Sequence, residues 1–244
     1  MNDFVARLTA TERAMDNPNR RPKDAATLLI LERGKSETRV LMGKRHMGHV
    51  FMPGKFVFPG GRVDPADSRV PIASDYEEAT RARVMARMRA PKTVARARAL
   101  AVTAVRETYE EAGLFIGAKS AKKPIGSDWE AFAERSLLPD LAPFRLIARA
   151  ITPPRRPRRF DTRFFAVPAE HIADRLPDNV GPSGELEELH WVPLADVAHL
   201  DMPTVTQVVI DELLERLSED PELKHAAPVP FYHWRGKGFV REVL

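Results

Sequence analysis

The 244 residues carry 38 Lys and Arg against 34 Asp and Glu, with 43% hydrophobic residues and no cysteine. That fits one domain with extensions, or two small ones, around a real core; it excludes disulfides, thiolate zinc sites and cysteine nucleophiles. No stretch approaches the roughly 18 apolar residues of a membrane helix, and a net charge of +4 favours anionic ligands only weakly.

Residues 1–22 are polar, without an apolar signal core, and read as a short helix or arm followed by a turn. Residues 24–31, Asp-Ala-Ala-Thr-Leu-Leu-Ile-Leu, read as a buried strand. Gly34, Lys35 and Ser36 mark a hairpin, and residues 39–45 the return strand. Phe56-Val57-Phe58 is a short strand ended by Pro59. Gly60-Gly61 is a tight turn, or a place where backbone comes close to a ligand. Arg62-Val63-Asp64 can form another short strand.

Residues 66–98 differ in kind: acidic at first, then rich in Arg, Ala and Met. One or two helices broken near Pro91 are expected. Their arginines read as a solvated face more readily than as phosphate contacts.

A longer helix follows, beginning at about 97–99. Residues 99–112 hold no Pro and no Gly, and Gly113 is placed for a left-handed cap. Val102, Val105, Tyr109 and Ala112 share one face. Glu107, Glu110 and Glu111 crowd the other at i, i+3 and i+4 spacing. Three carboxylates near a helix C-terminus repel one another and oppose the macrodipole. A solvated acidic face is one reading; a site for a hard divalent cation is the other.

Residues 117–126 read as a loop and 129–138 as a short helix. Residues 144–151 and 164–167 read as strands. Between them lies a Pro-stiffened loop with Arg155, Arg156, Arg158 and Arg159, equally an anion clamp or a solvated surface. Asp178 to Gly184 is a loop, and 185–192 a strand with Glu185 and Glu188 at its start. A helix begins after Pro193, and an amphipathic one covers 204–217. Phe231, Tyr232, His233 and Trp234 form an aromatic tail suited to packing or a homodimer contact.

Gly61, Arg106-Glu107, Glu110-Glu111 and Gly113 together resemble the Nudix box. Thr108 stands where that family has an apolar residue, and Asp67 where it has Glu. Gly61 and Arg106 lie about 31 residues further apart than in an uninterrupted box, as in an acyl-CoA diphosphatase-like subgroup. The resemblance covers about 24–215. It implies an α/β fold: an α/β/α sandwich around a mixed sheet, with a helical insertion in the box. One domain over 1–244 is expected, with its core at about 24–215, the insertion at about 68–98 and the tail at about 221–244.

The resemblance also implies function. Glu107, Glu110, Glu111 and the Gly61 carbonyl would hold Mg²⁺ or Mn²⁺, and Arg106 would orient the acids. Glu185, ahead of Glu188, would serve as base. The substrate would be a small-molecule nucleoside diphosphate derivative, coenzyme A or an acyl-CoA foremost, with the four loop arginines on its extra phosphate. ADP-ribose, NADH, dinucleoside polyphosphates and RNA 5′-ends are alternatives, as is a non-catalytic nucleotide-binding regulator. No stacking platform for nucleic acid is visible. A cytoplasmic place without membrane partners is expected.

Overall fold

A computed structural model describes residues 3–11, 13, 16–34, 37–46, 48, 54–177, 180–224 and 227–244. Lys35 and Ser36 of the expected hairpin, and the Asp178 start of the expected loop, lie outside the described residues.

The chain begins with α1 (Phe4–Ala10), β1 (Lys23–Arg33), β2 (Thr38–Arg45), β3 (Phe56–Val57) and β4 (Gly60–Arg62). The helices α2 (Glu78–Met85) and α3 (Val94–Ala112) follow, then β5 (Leu114–Ile116) and β6 (Ala118–Lys119). Next come α4 (Glu130–Glu134), β7 (Leu137–Leu138), β8 (Arg145–Ile151), β9 (Phe160–Pro168) and β10 (Ile172–Arg175). The chain closes with β11 (Leu186–Pro193), α5 (Thr204–Glu219), β12 (Pro230–Arg235) and β13 (Gly238–Val243).

Nine strands form one sheet in the order β11-β2-β1-β9-β8-β12-β13, with β3 on β2 and β4 on β1. The β1–β9 and β8–β12 pairs are parallel and the rest antiparallel, so the sheet is mixed. The central strand β1 is apolar on both faces, as a strand covered on both sides must be. Leu28 and Ile30 face α3, Val84 of α2 and Phe132 of α4. Leu29 and Leu31 face Phe4 and Leu8 of α1 and Val209 and Leu213 of α5. Helices therefore cover both faces, as the α/β/α expectation required.

Several expectations need correction. The aromatic tail is not an appendage outside the core: β12 and β13 extend the main sheet, and Tyr232 is wholly buried. The strand expected at 62–64 lies at Gly60–Arg62. The helix expected after Pro193 is only a 3-10 turn at Val197–His199. The 129–138 segment is split into α4 and β7, and the expected 117–126 loop gives up two residues to β6. The long helix starts at Val94, because the Thr93 side chain accepts the Arg96 N–H and caps it. No helix among the described residues is long and apolar enough to cross a membrane.

Candidate active site

α3 lies across β1 and β4. Its inner face carries Ala97, Ala101, Ala104 and Val105, all fully buried, and such small side chains let the helix axis approach the sheet closely. The helix ends at Gly113, whose φ of 66° is left-handed and whose N–H donates to the Tyr109 carbonyl. Close approach of α3 also explains Gly60-Gly61. A Cβ on Gly61 would stand 2.3 Å from Glu107 Oε1, and one on Gly60 2.5 Å from the Ala26 carbonyl. The Gly60 N–H donates to Glu111 Oε2 at 3.1 Å. The two glycines thus form a backbone cradle for two carboxylates of the helix.

Arg106 is locked. Its Nε and Nη2 donate to the two oxygens of Asp67 at 3.1 and 3.2 Å. Its Nη1 donates to Glu110 Oε2 at 3.0 Å and stands 3.0 Å from Glu107 Oε1. Asp67 is 2% exposed, and it also accepts from Thr103 Oγ1 and the Asp64 N–H. Asp64 and Asp67 form a capping box on the 3-10 turn Pro65–Arg69. The aspartate standing where the family has Glu is thus a buried anchor for Arg106.

Glu185 arrives by a different route. The loop before it docks on the end of α3: Gly181 N–H donates to the Glu111 carbonyl and Ser183 N–H to the Glu110 carbonyl. These bonds satisfy carbonyls that a helix C-terminus leaves open. A Cβ on Gly181 would meet the Glu110 carbonyl at 2.2 Å. β11 then pairs Leu186 with Arg45 of β2, and the Glu185 carboxylate accepts from the Arg45 guanidinium. Glu188 instead pairs with His190 on the exposed side.

Glu107 and Glu111 therefore meet at Gly60-Gly61, and Glu185 stands near enough for its charge to act on both. Burial foremost, with the Glu110 and Glu185 charges adding to it against the pull of Arg106, pushes the Glu107 carboxyl up to about 7. Burial foremost, then the charges of Glu185 and Glu107, pushes Glu111 well above the usual carboxylate range. Burial also raises Glu110. Burial works against the charge on Arg106, but Asp67, Glu107 and Glu110 outweigh it and hold it charged.

Such a set fits a hard cation. All donors are oxygens, two carboxylates face backbone without side chains, and the crowded charge favours a positive guest. As the side chains stand, though, no group of three or more His, Asp or Glu among the described residues could hold a metal ion. Glu111 is held by the Gly60 N–H, Glu185 by Arg45 and Glu110 by Arg106.

Two other sets lie apart from this point. A cavity of about 440 Å³ opens beside Glu110, between Tyr109, Asp128, Glu130, Glu134 and Pro182; its carboxylates repel phosphate. The arginine loop sits at the opposite end of α3. Arg159 donates to Asn19 Oδ1 and to the Arg20 and Thr152 carbonyls, and it stands beside Arg89. Arg89 lends its carbonyl to Arg96, and Arg96 and Glu107 are about 16 Å apart along the helix. Arg155 and Arg158 point to solvent on the same loop. The expected clamp of Arg155, Arg156, Arg158 and Arg159 is therefore not assembled at the carboxylates. Arg45 went unnoticed in the sequence, because only the β2–β11 register places it there.

In the comparison with known proteins, no family model matches the chain. A solved NUDIX hydrolase from Alicyclobacillus acidocaldarius is 27% identical, with a TM-score of 0.59 over 78% of this chain and 90% of that one. A putative nudix hydrolase 7 of Caenorhabditis elegans is 24% identical over 182 residues, 70% of this chain. The chain spans about half, 51%, of that curated relative's length. Box, fold and these likenesses make the chain similar to Nudix hydrolases.

Proposed function

We propose that the chain is a divalent-cation-dependent hydrolase that cuts the diphosphate linkage of a nucleoside diphosphate derivative, with coenzyme A or an acyl-CoA as its first substrate. The observation that carries this reading is the seating of Glu107 and Glu111 against the Gly60-Gly61 backbone, with the Glu185 charge close by. In this reading Glu107, Glu110, Glu111 and the Gly61 carbonyl hold Mg²⁺ or Mn²⁺. When bound, the ion supplies charge for the diphosphate and lowers the pKa of a water.

The chain's own residues do the rest. Asp67 fixes Arg106, and Arg106 holds Glu107 and Glu110 in place. Glu185 takes the proton of the attacking water. The coenzyme A preference rests on the long interval inside the box, since the loop arginines lie at the other end of α3. The carboxylate-lined cavity beside Glu110 favours a neutral or cationic part of the substrate.

The test is turnover on coenzyme A, ADP-ribose, NADH, diadenosine polyphosphates and 5′-triphosphate RNA, each with Mg²⁺ and with Mn²⁺. Hydrolysis of coenzyme A at the diphosphate is the expected result. Faster hydrolysis of another member moves the substrate assignment. Silence on all of them, with either metal, overturns the enzyme reading in favour of a nucleotide-binding module.

A further inference from the structure

The end of α3 remote from the carboxylates carries the opposite imbalance. Arg96, in the first turn of α3, pairs with Asp24 of β1 at 2.6 Å. Arg163 of β9 stands 3.4 Å from Asp24 and 3.0 Å from Asp161. Arg149 of β8 donates to both oxygens of Asp161, at 2.8 and 2.7 Å. The two aspartates are thus committed to three guanidiniums, and they do not meet even that demand. Nε and Nη2 of Arg163 are buried without an acceptor among the described residues. Burial, against the pull of Asp161 and Asp24, pushes that guanidinium down to about 10.

Two more arginines are added on the surface. Arg89, exposed between α2 and α3, is close enough for its charge to act on Asp161 and on Arg159. Arg159, at the end of the β8–β9 loop, is held by neutral oxygens. Its Nε donates to the Thr152 carbonyl at 3.1 Å, and its Nη1 to Asn19 Oδ1 at 2.8 Å and the Arg20 carbonyl at 2.6 Å. Its Nη2 donates to nothing among the described residues, and neither Arg89 nor Arg159 forms an ion pair with a carboxylate there.

We propose that Arg89 and Arg159 form a second anion site, separate from the carboxylate site, that takes a phosphate dianion, either free or as the monoester of a nucleotide. Like charges brought side by side need a counter-charge, and the aspartates beneath them are already committed. The pair is assembled from segments distant in sequence: the arm at Asn19 and Arg20, the interval inside the box, and the β8–β9 loop. It is therefore a product of the fold and not of one basic run. Arg159 is oriented before any ligand arrives, so little ordering entropy opposes binding. Its planar fork suits phosphate oxygens, and a charge held by neutral acceptors is left for the ligand to neutralise. A bound phosphate would also join the arm, the interval and the loop at one point.

The experiment is calorimetric titration of the full chain in EDTA with inorganic phosphate and, separately, with AMP. It is run on the wild type, Arg89→Gln, Arg159→Gln and Arg235→Gln. EDTA keeps divalent ions off the carboxylates, so binding through an ion there does not contribute. Both probes are expected to bind the wild type and to raise its Tm. Arg89→Gln and Arg159→Gln are each expected to weaken binding about tenfold, the loss of one charge-assisted hydrogen bond. Arg235→Gln removes an exposed charge from the β12–β13 turn and should leave the affinity as it is. Inorganic phosphate binding at least as tightly as AMP assigns the site to free phosphate; tighter AMP assigns it to a nucleotide's phosphate, and either supports the inference. Arg159 also holds the arm, so Arg89→Gln carries the test if Arg159→Gln does not fold. No binding of either probe to the wild type, unchanged affinity in Arg89→Gln, or an equal loss in Arg235→Gln overturns the inference. The outcome is independent of turnover. Glu111→Gln should bind phosphate as the wild type does, so failure here leaves the proposed hydrolase standing, and failure of the hydrolase leaves this site standing.

Discussion

Single residues set the chemistry, and Glu111 is the most exacting of them. It is 2% exposed and accepts from the Gly60 N–H, so its charge has little water to stabilise it. Glu111→Gln keeps the shape and the backbone bond but removes that charge. Turnover is expected to fall by at least about a hundredfold, since metal activation is worth several kcal/mol, with an unchanged far-UV circular dichroism spectrum. Near-normal turnover in the folded variant would sink the metal assignment. Glu107 gives a second prediction, for the metal-free protein. Its carboxyl is pushed from the ordinary 4.5 up to about 7, by burial above all. Between those values the unfolded chain has lost its proton while the folded chain keeps it. The contribution to stability is therefore complete below the ordinary value and lost as pH rises through about 7. Glu110 and Glu111 are shifted in the same direction. In EDTA, Tm is expected to be about 5 °C lower at pH 8 than at pH 5, and Mg²⁺ should raise it more at pH 8. A Tm that climbs from pH 5 to pH 8 without metal contradicts this picture.

At the scale of elements, the site is a helix clamped at two points. The 3-10 turn Pro65–Arg69 grips α3 through Asp67, and the 180–184 loop grips its last carbonyls. Asp67→Asn leaves Arg106 buried beside a neutral group and should cost about 3–5 kcal/mol, read from urea unfolding. Turnover should fall with it, because Arg106, the common partner of Glu107 and Glu110, loses its anchor; unchanged stability would mean that water replaces the carboxylate. The sequence shows one half of this arrangement and hides the other. The helix, its Gly113 cap and the three glutamates are legible because their interactions span four residues or fewer. The carboxylate of Asp67 could be matched to a motif, but its grip on Arg106 crosses the whole long interval of the box. Arg45 and Glu185 meet only because β2 and β11 pair in one register, and no local pattern encodes that register. The arginine loop misled for a related reason: its composition speaks of anions, whereas its position follows from where β8 and β9 turn.

At the scale of the whole molecule, the long interval and the tail belong to each other. Interrupting the box suggests a segment that shapes substrate access, yet its contacts run the other way. Arg83 donates to the Leu244 carbonyl, Arg87 pairs with Glu242, and Arg149 of β8 donates to the Ala86 and Arg87 carbonyls. Tyr76, 4% exposed, stacks on Phe165, donates to the Ala97 carbonyl and accepts from the Ala101 N–H. The segment thus closes the core over the N-terminal half of α3, at the end remote from the carboxylates. Nothing in its local composition could show this, because every partner is distant in sequence. Tyr76→Phe removes one buried hydroxyl and with it the bond to the Ala97 carbonyl, which should cost about 1 kcal/mol. The ratios of kcat/KM across the substrate panel should stay as they are, since the residue acts on packing and not on the site. Measuring urea unfolding together with the panel separates the two roles. A changed substrate profile at unchanged stability would return the segment to the role of a specificity element, whereas lost stability at constant specificity fixes it as a structural bracket between α3 and β12–β13.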